Sequence, residues 1–198
     1  MPAQPNLDRF TQLATQFDVI PVYRRLLSDT LTPVSAFRLL DDGRSAALFE
    51  SVIGGEKVGR YSFIAVGAQS RLTATRNQLT VTRTVNGQPA DETSQVADPL
   101  ESLWEFVSEK KVAKLSELPP FSGGAFGFAS YDVVRYVEDL PNAPKDDRGL
   151  PDIDFSIFDD PIIFDNVNKS LFVAALLTRL HRNRTSIADA LTSWLQSS

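Results

Sequence analysis

Glu50, Ser51, Glu56 and Lys57 stand close together around two glycines, in the stretch LFESVIGGEKVGRYSFIAVG at residues 48–67. An acid, a hydroxyl and an ammonium are the complement of a free amino acid. The ligand's own ammonium meets the acid, its carboxylate meets the cation or the hydroxyl, and its side chain needs an apolar wall. Glu50, Ser51 and Lys57 supply the polar set, and Leu48 and Tyr61 supply walls. The plain alternative is a solvated turn in which Glu56, Lys57 and Arg60 make one weak surface ion pair.

Other patterns carry less chemistry. His181, the only histidine, lies among arginines in TRLHRNRT, with no cysteine to share a metal and no serine elbow to activate, so it reads as a surface residue. Acidic pairs at Asp41-Asp42, Asp146-Asp147, Asp152/Asp154 and Asp159-Asp160 fall in loops or at strand ends, where carboxylates are ordinarily solvated. The glycines at 54, 55 and 59, and at 123, 124 and 127, fit neither a P-loop nor GxGxxG. GGAFG suits close backbone approach or positive φ instead. The chain has no cysteine, which excludes disulfides, thiol nucleophiles and cysteine-bound zinc. A net charge of −5 opposes a nucleic-acid partner. MPAQPNLDRF lacks the basic start and apolar core of a secretory signal, and the longest apolar run, near residues 171–177, is far shorter than a membrane span. These features predict a cytoplasmic protein with no nucleic acid and no membrane among its partners.

The elements that must position these residues follow from periodicity. At 198 residues the chain suits one large or two small domains and buries roughly 70% of its unfolded surface without staples. Phe10, Leu13, Ala14 and Phe17 predict a helix over 6–17 capped by Asn6, with an extended piece at 19–23. Thr32 and Pro33 open a second helix, over 34–40. Residues 45–49 and 61–66 are apolar runs of strand length. Residues 71–75 and 78–85 alternate with a period of two, Leu72 and Ala74 on one face of the first and Leu79, Val81 and Val85 on one face of the second. Asn86-Gly87 signals a turn, and the polar residues 88–97 read as a loop. Asp98 and Pro99 start a helix over 98–111 whose expected buried stripe is Leu100, Leu103, Trp104 and Val107. A glycine-rich strand at 122–129 runs into a helical SYDVVRYVEDL, and 141–152 is a surface loop. A hairpin turning at 166–169 joins 171–177 to a strand at either 153–158 or 161–164, and a helix over 185–195 closes the chain. Antiparallel runs with interspersed helices and no βαβ alternation give an α+β fold.

Four blocks carry a resemblance: PVYRRLLSDTLTPVSAFRLL at 21–40, the stretch at 48–67, GGAFGFASYDVVRYVEDLP at 123–141 and DIDFSIFDDPIIFDNVNKSLFVAALL at 152–177. In this order they resemble, nearly end to end, the N-terminal region of anthranilate synthase component I, in the chorismate-aminating synthase family. The sister enzyme aminodeoxychorismate synthase component I shares the architecture, but the GGEKVGRYSFI block looks more like the anthranilate branch. The resemblance implies antiparallel sheets packed with helices. It also implies a part in making anthranilate and pyruvate from chorismate and ammonia, or from glutamine through a separate amidotransferase subunit, component II, for tryptophan biosynthesis.

In that family the chorismate and Mg²⁺ residues lie in a further C-terminal chorismate-binding domain. The expectation is therefore that residues 1–198 form one regulatory and scaffold region of a longer chain, with no catalytic residue, no cofactor of its own and no activity alone. The family's LLES motif helps form the inhibitory L-tryptophan pocket; here it reads Leu48-Phe49-Glu50-Ser51, with phenylalanine where leucine is usual. The resemblance assigns Ser51 and Lys57 to L-tryptophan, with Glu50 and Leu48 beside them, and makes Tyr61, Asp132 and Arg135 domain-contact or pocket-lining residues. The alternatives are the same region of the sister enzyme, or a free-standing amino-acid-binding module.

Overall fold

The structure, a computed structural model, describes residues 2–41, 43, 45–50, 59–85, 88–142 and 145–178. The chain divides into two compact units. One comprises Met1–Ala68, Lys110–Gly124 and Phe158–Ser198, and the other Gln69–Glu109 and Ala125–Ile157.

The first unit is built on a five-stranded antiparallel sheet. Its strands are β1 (Val19–Leu27), β2 (Ala46–Phe49), β3 (Tyr61–Val66), β9 (Ile162–Asp165) and β10 (Ser170–Thr178), in the order β1-β10-β9-β3-β2. β1 runs four residues beyond the expected extended piece, because β10 offers it a partner throughout, from Val19↔Thr178 to Leu27↔Ser170. Alternation gives the sheet two apolar faces. Ile64, Val66, Ile162, Phe164, Leu171 and Val173 form one, packed with Ala36, Phe37 and Leu40 of helix α2 (Pro33–Leu40). Tyr23, Ile163, Phe172 and Ala174 form the other, packed with Leu13 of helix α1 (Leu7–Leu13) and with Leu115 and Leu118. Each fully buried side chain of this kind stabilises the fold by about 1.5–3 kcal/mol. Both helices start as the sequence requires. The Asn6 side chain accepts from the Arg9 N–H, and Thr32 and Ser35 cap each other reciprocally.

The second unit has a five-stranded sheet in the order β6-β5-β4-β8-β7. These are β4 (Ser70–Thr75), β5 (Gln78–Val85), β6 (Gln88–Gln95), β7 (Gly124–Ala129) and β8 (Ile153–Phe158). The alternation in β4 and β5 holds: Leu72, Ala74 and Leu79 are buried with Ile153. Val85, at the far end of β5, is exposed.

Helix α3 (Pro99–Ser108) lays Leu100, Leu103 and Phe106 on this core, and Asp98 caps it through the Leu100 and Glu101 N–H groups. Trp104, expected in the buried stripe, is 70% exposed, and Val107 is also on the open side. The buried face follows the spacing 100, 103, 106 and so misses both residues. The helix ends at Ser108, short of 111.

Three further expectations change. Residues 88–95 form a strand, paired with β5 from Val85↔Gln88 to Gln78↔Gln95. All eight of its residues are exposed, so no apolar period marks it. SYDVVRYVEDL contains only a 3-10 turn, Tyr131–Tyr136. Of the two candidate hairpin strands, β9 pairs with β10, whereas β8 pairs with β4. Asn86-Gly87, His181 and the helix expected at 185–195 lie outside the described residues.

Gly127 has a steric reason. A Cβ built there would overlap the Asp154 carbonyl and the Phe155 Cα, so β7 lies against β8 with no room for a side chain. Gly127→Ala should therefore destabilise the chain by about 1–3 kcal/mol in urea unfolding. Trp104→Ala should cost under about 0.5 kcal/mol in the same assay, as for an ordinary surface position.

Candidate functional site

β2 and β3 are antiparallel neighbours, with Leu48↔Ile64 and Phe49↔Phe63 opposite one another. Glu50 therefore leaves the sheet, and Gly59 and Arg60 re-enter it, at the same end. Glu50 is exposed just past β2. Ser51 and Lys57 lie outside the described residues. Leu48 packs on the α2 side of the sheet, so it serves the core that holds β2 in place. Phe49, where the resembled motif has leucine, is half-exposed and stands across from Phe63. Tyr61 opens β3 with the Arg60 guanidinium 4.9 Å from its ring centroid and Phe63 at 6.4 Å. Phe63 in turn meets Phe121 edge-on at 5.6 Å.

What fixes this end of the sheet is a carboxylate far away in sequence. Asp165, last residue of β9, is only 2% exposed. Its oxygens accept from Arg60 Nη2 at 2.8 Å, from Asn168 Nδ2 at 2.8 Å and from the backbone N–H groups of Val167 and Asn168 at 3.2 and 3.1 Å. The neighbouring Asn166 completes the tie. Its backbone N–H donates to the Arg60 carbonyl at 2.8 Å, and its amide nitrogen donates to Ser62 Oγ at 3.0 Å and to the Gly59 carbonyl at 3.3 Å. Burial pushes the Asp165 carboxyl up, but Arg60 and the Asn168 donors outweigh it and hold the group at about 2. Sequence reasoning placed Arg60 in a surface pair within its own loop. Among the described residues it binds Asp165, 105 residues away in sequence, a contact that no local pattern announces.

Asp132 and Arg135 belong to the second unit, on its 3-10 turn. They pair with each other, Nε to Oδ1 at 2.8 Å, and Arg135 Nη1 donates to the Leu140 carbonyl at 2.6 Å. An exposed pair of this kind contributes about 0–1 kcal/mol.

The acids read as a pair at 152 and 154 have separate structural tasks. Asp154 binds Arg71. Asp152 accepts from the Arg76 N–H and the Tyr136 hydroxyl, both at 2.6 Å. Burial, then the Asp152 carboxylate, pushes the Tyr136 phenol well above its ordinary range. Among the described residues no three His, Cys, Asp or Glu side chains converge to hold a metal ion.

No protein-family model matches the chain. Curated proteins do: it is 41% identical over 186 residues, 91% of its own length, to anthranilate synthase component 1 of Acinetobacter calcoaceticus. The chain is homologous to the N-terminal part of anthranilate synthase component I. It is also 34% identical over 179 residues to component 1 of Acetivibrio thermocellus, and 38% identical over 183 residues to the chloroplastic alpha subunit 2 of Arabidopsis thaliana. Component I from Streptococcus pneumoniae, a crystal structure, matches with a TM-score of 0.52 and 27% identity over 88% of the chain. The two five-stranded antiparallel sheets are thus those of an anthranilate synthase component I homologue. The chain spans about a third of these relatives: 36% of the A. calcoaceticus protein, 35% and 29% of the next two, and 36% of the S. pneumoniae chain.

The Asp165 tie sets a pH dependence. Its folded value, about 2, lies below the ordinary 3.8, so the ionised group stabilises the fold above pH 4 and that contribution is lost as pH falls toward 2. The loss should amount to about 2 kcal/mol. Urea unfolding followed from pH 5 to pH 2 should show that extra slope in the native chain and lack it in Asp165→Asn, which should itself be less stable at pH 7 by about 2–3 kcal/mol.

Proposed function

We propose that residues 1–198 are the regulatory and scaffold region of a component I that makes anthranilate and pyruvate from chorismate with ammonia or glutamine, for L-tryptophan biosynthesis in the cytoplasm. The observation that carries this reading is 41% identity across 91% of the chain to a relative of which only 36% is covered. The chorismate chemistry, with its Mg²⁺, then belongs to a separate C-terminal domain, and ammonia from glutamine comes from the amidotransferase component II. The tryptophan feedback site is proposed at Ser51 and Lys57, with Glu50 and Leu48 alongside. Tyr61, Asp132 and Arg135 are proposed as domain-contact or pocket-lining residues.

The groups suit the ligand. Tryptophan brings an ammonium for Glu50, a carboxylate for Lys57 and Ser51, and an indole for an apolar wall. Inhibition requires that tryptophan bind one domain arrangement better than another, with a coupling of about 1–3 kcal/mol. A pocket completed by the chorismate-binding domain supplies that difference, since separating the domains dismantles it. The tie at Gly59 and Arg60 supports this reading: the segment containing Ser51 and Lys57 rejoins the sheet at a fixed point.

Three measurements test the reading. Residues 1–198 given chorismate, ammonia and Mg²⁺ should produce no anthranilate fluorescence; steady production would place the chemistry in this chain. In whole component I, L-tryptophan should inhibit anthranilate formation, and Ser51→Phe should raise the half-inhibiting concentration at least about tenfold, equivalent to about 1.4 kcal/mol. Unchanged inhibition would remove Ser51 from the site. Tight tryptophan binding by residues 1–198 alone would favour the self-contained amino-acid module.

A further inference from the structure

Asn166 directs its hydrogen bonds at one short piece of chain, on both sides of Tyr61. Its backbone N–H donates to the Arg60 carbonyl at 2.8 Å, and its Nδ2 donates to the Gly59 carbonyl at 3.3 Å and to Ser62 Oγ at 3.0 Å. The Arg60 guanidinium, held by Asp165, lies 4.9 Å from the centroid of the Tyr61 ring. Backbone and ring of Tyr61 are therefore both set from the end of β9. The sheet itself does not require this. The register of β3 against β9 is given by the ladder from Tyr61↔Asp165 to Ile64↔Ile162, with apolar side chains packed on both faces. Ser62, 1% exposed, stands across from Phe164, a place where an apolar side chain would serve the core. A buried hydroxyl must be matched there, and Asn166 matches it. The bond to the Gly59 carbonyl acts outside the ladder altogether. Gly59 has a φ of 91°, which residues with a side chain rarely adopt, and a glycine left unheld samples many other conformations. A polar pair kept in place of an apolar one specifies geometry more than it adds stability.

We propose that Asn166, with Ser62 as its buried acceptor, is a positioning residue for tryptophan feedback: it presets Tyr61 and the Gly59–Arg60 re-entry point before the ligand arrives. This rests on the reading of residues 48–61 as the L-tryptophan site. The consequence is regulatory. A wall already held in its bound geometry spares the ligand the cost of ordering it, so the same contacts give a higher affinity. Where the wall is only sometimes in place, the apparent affinity falls by the fraction of molecules in which it is correct. Asn166 thus acts on tryptophan affinity through Tyr61 and Gly59, without being a ligand contact itself. Chorismate turnover, proposed to belong to the separate C-terminal domain, has no such dependence on this tie.

Variants of whole component I test this, with inhibition and turnover measured side by side. In Asn166→Ala the half-inhibiting concentration of L-tryptophan should rise at least about tenfold, while kcat/KM for chorismate changes by less than about threefold. Ser62→Ala removes one acceptor and leaves a small apolar side chain, so it provides the test if Asn166→Ala does not fold. It should raise the half-inhibiting concentration about threefold. Thr32→Ala removes a helix cap in the same unit; it should lower the Tm and leave the half-inhibiting concentration unchanged, which separates positioning from general loosening. Unchanged inhibition in either Asn166→Ala or Ser62→Ala would overturn the proposal. So would a Thr32→Ala enzyme whose inhibition weakens as much as that of Asn166→Ala. Inhibition lost in Ser51→Phe but intact in the Asn166 and Ser62 variants would remove this inference alone. Inhibition weakened in those two variants and unchanged in Ser51→Phe would support the tie and remove Ser51 from the site.

Discussion

A buried carboxylate must be matched or it will not stay ionised, and Asp165 is matched on every side. Desolvating an unpaired carboxylate costs several kcal/mol, so the turn after β9 has to bring its own donors. It does so with the Val167 and Asn168 N–H groups and the Asn168 side chain, in a turn that closes with Lys169 at a left-handed φ of 48°. Arg60 then satisfies the charge from β3's side. β9 is only four residues long, yet it carries Ile162, Ile163 and Phe164, all buried, between β3 and β10. A strand so short has few ladder bonds of its own. The polar knot at its end therefore locks three neighbouring segments in register: Gly59–Ser62 through Asn166, the β9–β10 turn through Asn168, and β9 itself.

Much of this architecture was legible because burial and periodicity coincide. Leu72, Ala74 and Leu79 alternate in sequence and are buried in the sheet, and Asn6, Thr32 and Asp98 cap the helices where their types required. The failures have physical causes. β6 has no apolar face, so its only claim to be a strand is the ladder that β5 offers, and no residue of QPADETSQ records that partner. Trp104 fits an apolar helical stripe as well as Phe106 does, and only the position of the sheet beneath α3 chooses between them. β8 and β9 lie three residues apart yet enter different sheets, a choice made by partners elsewhere in the chain. The groups around the candidate site divide in the same way. LFES and GGEK stand out by type and spacing, whereas Asp165 and Asn166 act on that loop's end through contacts across more than 100 residues.

The stiffness of that end bears on whether a feedback site built on residues 48–61 could work at all. A ligand that gains 1–3 kcal/mol by favouring one domain arrangement does so only if the pocket wall yields at a higher cost than the domains do. Were the loop's end soft, tryptophan would be accommodated by local rearrangement and nothing would be transmitted. The ionised Asp165 contributes about 2 kcal/mol through Arg60 and the Asn168 donors together. Each of the three Asn166 bonds adds about 0.5–1.5 kcal/mol. Displacing Gly59 and Arg60 together breaks the Asp165 pair and two of those bonds, which opposes local yielding on the scale of the coupling that regulation requires. Glu50, by contrast, follows β2, which ends the strand order of this sheet among the described residues. The proposed pocket thus has one wall fixed to the core of the first unit and one carried by the last strand in that order, the arrangement in which a ligand's preference is expressed as movement of whatever lies beyond that strand.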